Sequence, residues 1–80
     1  MARSEVTVEQ RAVGRVIRNL REEQGDTQEQ LAVKAGVSRA RVIDIELGHR
    51  ASRRTYLAIA KALGMPVEEM DDLTEEVVGA

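Results

Sequence analysis

Residues 28–47 read QEQLAVKAGVSRARVIDIEL. Within this twenty-residue unit Ala32, Gly36, Val42 and Ile45 stand at the fifth, ninth, fifteenth and eighteenth places. Two short helices that cross steeply need that pattern. It gives a small residue where they touch, a Gly in the turn, and two apolar residues three apart that hold the second helix on the first. Leu31, Ala35 and Val37 supply further inward positions, while the outward places carry the polar Gln28, Glu29, Gln30, Lys34, Arg39, Arg41 and Asp44. The unit is expected to form a helix-turn-helix whose second helix is offered to a DNA major groove.

Working outward, Thr7-Val8-Glu9-Gln10 has the form of a capping box, with Thr7 as N-cap and Gln10 reaching back. Val13, Val16, Ile17 and Leu20 then recur at helical spacing until Gly25. Thr27 to Gln30 repeats the box, Gly36 ends the second helix, and Ser38 caps a third that stops before Gly48. Ser52 can cap a fourth helix that turns Leu57, Ile59, Ala60 and Leu63 inward and stops at Gly64. Pro66 suits the first position of a fifth, which lines Val67, Met70, Leu73 and Val77 along one side. No segment alternates with period two, so no sheet is expected. The fold class predicted is all-α: one domain over residues 1–80, with a flexible arm at 1–6, a five-helix bundle at 8–73 and an acidic tail at 74–80.

The chain's 80 residues allow one small core, and with aromatics at only 1% it must be built from aliphatic side chains and Met. There is no cysteine, which excludes disulfides and thiolate metal sites and fits a reducing compartment. No apolar run approaches the roughly 20 residues of a membrane span, and the start shows no signal peptide, so a cytoplasmic location is expected. His49 is the only histidine, leaving no catalytic triad and no histidine-rich metal set. The acids at 68–76 lack the spacing of a calcium loop, and no Gly-rich phosphate loop occurs. The chain is read as a non-enzyme with no cofactor. Its net charge of −2 is unevenly placed: residues 1–64 carry +4 and residues 65–80 carry −6, with no base among the latter. A basic body can still present a positive face to phosphates, because screening beyond about 10 Å separates the two fields.

The pieces LREEQGDTQEQLAVKAGVS, IELGHR and YLAIAKALGMPVEEM give the stretch from Val13 to Leu73 its likeness to known proteins. It resembles the Cro and lambda-repressor-like, or XRE-type, helix-turn-helix family. The resemblance implies a five-helix domain that binds operator DNA, usually as a homodimer on a palindromic site. It also implies that an Arg late in the first helix, here Arg21, pairs with the Glu ending the third, here Glu46, orienting the recognition helix. Arg21 is thereby offered a second role facing the DNA backbone. The chain departs from the family at Ala51, where Pro is common, at Arg53, where an apolar residue is common, and at Asp44, a place more often Lys, Arg, Gln or Ser.

On this reading Ser38, Arg39, Ala40, Ile43 and Asp44 form the base-reading face. Arg39 has the chemistry for two bonds to guanine O6 and N7, while Ala40 and Ile43 suit thymine methyls. Asp44 has three available roles: accepting from cytosine N4, repelling phosphate at wrong sites, or pairing with Arg41. Gln28 opens the second helix, where free amides favour a phosphate, and the family typically grips the DNA backbone there. Arg53 and Arg54 open the fourth helix, where cations oppose the helix dipole and an anion such as phosphate would relieve the conflict. Arg50 and Arg41 join them as backbone contacts.

The function expected is a stand-alone, sequence-specific DNA-binding regulator, a repressor acting as a homodimer on double-stranded DNA. Tyr56, Met70, Leu73 and Val77 are the expected dimer interface. The competing account has Met70 and Leu73 closing the monomer core while residues 74–80 are disordered. The alternative function is an antitoxin or anti-repressor module that grips a protein partner through the acidic and apolar C-terminal segment.

Overall fold

The structure, a computed structural model, describes residues 6–78. Five helices follow in order: α1 (Val8–Glu23), α2 (Gln28–Ala35), α3 (Arg39–Glu46), α4 (Arg53–Leu63) and α5 (Val67–Val78). Among the described residues there is no strand, and no helix is long and apolar enough to cross a membrane.

The helix starts follow from local chemistry. Thr7 and Thr27 each accept from the backbone N–H three residues on, at 3.0 Å, while Gln10 and Gln30 return the bond to the cap's own N–H. Two of the orphan donors at each helix start are thereby satisfied. Ser38 and Ser52 cap α3 and α4 by the same side-chain bond to the third helical residue. Gly36, at φ 72°, turns the chain from α2 into α3 in a left-handed conformation that other residues rarely adopt. Pro66 stands one place earlier than expected: its carbonyl accepts from Met70 N–H at 3.1 Å, and the helix proper begins at Val67.

α2 packs against both α3 and α4, α1 against α3 and α5, and α4 against α5. The core they enclose is built from Val13, Ile17, Leu31, Ala32, Val42, Ile45, Tyr56, Ile59, Ala60, Leu63, Met65, Met70 and Val77. α1 and α3 approach so closely at Gly14 that a Cβ there would lie 2.6 Å from the carbonyl oxygens of both Ile45 and Glu46.

One expectation needs correction. Residues 74–78 are not a tail, because α5 continues through them and buries Thr74 and Val77. Thr74 is accommodated there because its hydroxyl donates to the Met70 carbonyl at 2.8 Å. The arm expected at 1–6 lies outside the described residues except for Val6, which is half-buried beside Gly48.

Candidate nucleic-acid interface

Ser38 fixes where α3 begins, and the helix's buried side chains set which side faces out. Val42 and Ile45 are buried, so the helix turns Arg39, Ala40 and Asp44 to solvent, with Ile43 half-buried at the edge of the same face. Ser38 is exposed, but its oxygen already accepts from Arg41 N–H at 3.1 Å, which makes its first role structural. Arg39, Arg41 and Arg54 are exposed and have no acidic partner among the described residues. Asp44 makes no ion pair with Arg41 here.

Arg21 and Glu46 form the pair that the family likeness implied. Arg21 Nε donates to Glu46 Oε2 at 2.6 Å and Nη2 donates to Oε1 at 3.0 Å, while Nη1 donates to the Asp26 carbonyl at 2.8 Å. The two side chains are only 10% and 4% exposed. The bond to Glu46 strengthens the hold of Arg21 on its proton, against the opposing effect of burial. Nε, Nη1 and Nη2 each have an internal partner, so three of the five N–H donors of Arg21 are engaged within the molecule. Its work is to fix the C-terminal end of α3 on α1, and thereby the tilt of the outward face. Gln28, first residue of α2, joins the network by donating from Nε2 to Glu46 Oε1 at 3.1 Å. It sits at the helix N-terminus as expected, half-buried and held by the same carboxylate.

The other basic residues divide. Arg53 is paired through both Nε and Nη2 with the carboxylate of Asp71, at 3.0 and 2.9 Å. The anion that relieves the cation at the start of α4 is thus a side chain of α5, where phosphate had been expected. This pairing holds the Asp71 carboxyl below the usual carboxylate range. Arg50 Nη1 donates to the Val77 carbonyl at 3.2 Å, so it ties the loop after α3 to the end of α5. Only Arg54 of this group stands clear.

The expected dimer interface is mostly interior. Tyr56 is 1% exposed, Met70 0% and Val77 4%, and only Leu73 is left half-buried. Side chains that close the monomer core cannot also form a surface for a second copy, so the competing account for Met70 holds. Tyr56 is buried with its hydroxyl oxygen accepting from Ala51 N–H, five residues earlier, at 3.2 Å, a role that spacing alone did not reveal. Burial raises the Tyr56 phenol above its ordinary pKa, with the Ala51 N–H opposing.

One feature lies outside the residues singled out in the sequence. Arg11, Arg15 and Arg18 line a cleft of about 240 Å³ together with Glu46 and Leu47. Their i, i+4, i+7 spacing on α1 was the available signal.

No curated protein matches the chain. The family model described as Helix-turn-helix matches residues 17–70, which take in the C-terminal part of α1, all of α2 to α4 and the start of α5. With the two capped helices, the left-handed turn and the buried Arg–Glu lock in place, the chain belongs to the XRE, or lambda-repressor-like, helix-turn-helix family of DNA-binding transcriptional regulators.

Proposed function

We propose that this chain is a sequence-specific repressor that binds a palindromic operator as a homodimer and reads bases with α3. The observation that carries the reading is the outward face of α3, where Arg39, Ala40 and Asp44 are exposed at a capped helix start. The helix is held in place by the Arg21–Glu46 pair. Arg39 is the base reader, since a guanidinium without an internal acid can form both bonds to guanine. Arg41 and Arg54, with Gln28 at the start of α2, bind the DNA backbone.

One α3 reads too few base pairs for useful specificity, and two copies related by a twofold axis place their recognition helices about 34 Å apart. With Tyr56, Met70 and Val77 interior, Leu73 is the member of the expected contact that can still border a second copy. The antitoxin or anti-repressor alternative keeps support from the outward acids of α5, Glu68, Glu69, Asp72, Glu75 and Glu76. It loses the apolar grip that Met70 and Val77 were to supply.

Selection of bound fragments from a random DNA pool tests the reading. A twofold-symmetric consensus is expected, with two copies per site by light scattering and a slope of log K against log salt of roughly −5 for about six neutralised phosphates. Arg39→Ala should then change the preferred base at one position per half-site, at about 1–3 kcal/mol, whereas Arg54→Ala should weaken all sites alike. No consensus, or affinity indifferent to salt, would refute sequence-specific binding.

A further inference from the structure

We infer that the DNA path continues beyond the helix-turn-helix onto α1, where Arg11, Arg15 and Arg18 hold a second run of backbone phosphates. This inference rests on the DNA-binding reading above. The three arginines share one side of α1 and span about 10 Å along its axis, from the rise of 1.5 Å per residue. All three are exposed, and with Leu47 and Glu46 they line one cleft.

The charge of that cleft is not cancelled from within. Its only carboxylate, Glu46, is 4% exposed and engaged by Arg21 and Gln28. Arg18 bonds Glu22 at 3.1 Å, an exposed i,i+4 pair of little strength. Arg11 and Arg15 have no acidic partner among the described residues. The cleft therefore presents at least two guanidinium groups with no acidic partner among the described residues, on a chain whose net charge is negative.

Continuity selects the occupant. Glu46 borders the cleft on one side and bonds Gln28 on the other, so the arginines begin where the phosphate position at the start of α2 ends. Phosphates of one strand advance about 3.4 Å each along the duplex axis, so a stripe of about 10 Å matches a run of about three. The competing occupant is an acidic peptide, for which the exposed Leu47 would offer an apolar contact. A peptide, however, gives no reason for the cleft to adjoin the α2 N-terminus.

The test compares the intact protein with Arg15→Gln, Arg15→Lys and a control, Lys61→Gln, which removes an exposed cation on α4. Each is measured on the selected operator by salt titration and by phosphate-ethylation interference, with circular dichroism to verify folding. Arg15→Gln should bind about tenfold more weakly at about 0.1 M salt, with a slope shallower by about 0.9 per copy. It should keep its base preference and lose sensitivity to ethylation at about one phosphate per half-site. Arg15→Lys should restore most of the affinity, and Lys61→Gln should match the intact protein. Wild-type affinity, slope and interference pattern in Arg15→Gln would overturn the inference and leave the helix-turn-helix reading standing. If that variant instead lost binding to polyglutamate, the cleft would belong to an acidic protein segment and the inference would also fall. No salt-sensitive binding by the intact protein would remove both readings together.

Discussion

Gly14 is the residue on which the crossing of α1 and α3 depends. A methyl group there would stand 2.6 Å from two backbone oxygens, which cannot withdraw as the end of a flexible side chain can. Gly14→Ala gains roughly 1 kcal/mol of helix propensity but must push the helices apart, an overpacking cost of about 1–3 kcal/mol or more. The expected outcome is net destabilisation by urea denaturation, with weakened DNA binding because α3 shifts. The Arg21–Glu46 pair gives a second prediction. Glu46→Ala strands a guanidinium that is 8% exposed as a residue, and removing one member of such a buried pair costs about 3–5 kcal/mol. Replacing both partners by apolar residues should recover much of that stability. It should not recover DNA affinity, since Gln28 also loses its anchor.

At the scale of elements, the Arg53–Asp71 bond joins the start of α4 to α5 and places a carboxylate near a helix N-terminus, a favourable arrangement. The Asp71 carboxyl is depressed chiefly by its bonds to Arg53, so it takes up a proton less readily folded than unfolded. Its contribution is therefore present above the ordinary carboxylate range and is lost as pH falls from that range through the lowered folded value. The stability gap between the intact protein and Asp71→Asn should be visible near about pH 7 and shrink steadily as pH falls below the ordinary carboxylate range. This link also marks what the sequence could and could not reveal. Helix limits were legible because caps and glycine stops act within three or four residues, as at Thr7–Gln10 and Gly36. The inward positions of residues 28–47 were legible from their period. Asp71 as the partner of Arg53 was not, because nothing local marks which distant element a side chain will meet. The same ignorance of packing made Met70 and Val77 look like surplus apolar residues, when α5 turns them into the core. Arg21–Glu46, 25 residues apart, was reached only through the family likeness.

For the whole molecule, the decisive arrangement is that α5 closes the bundle against both α4 and α1. The acids of α5 leave the −6 of residues 65–80 on the outside of that closing helix, while the arginines with no acidic partner among the described residues lie on α1, α3 and α4. A chain ending at Asp72 loses Leu73, Thr74 and Val77, along with the carbonyl that Arg50 binds. Full burial of one aliphatic side chain stabilises by about 1.5–3 kcal/mol, so the truncated protein should lose at least about 3 kcal/mol. An unchanged urea midpoint would show that the end of α5 adds nothing. The contact between α1 and α5 also orders events in time. During synthesis α1 to α4 emerge first, but the sides of α1 and α4 that α5 covers stay open until α5 has followed them. The half-made chain has no finished core on which to set its recognition helix, so competence to bind waits for α5 to dock.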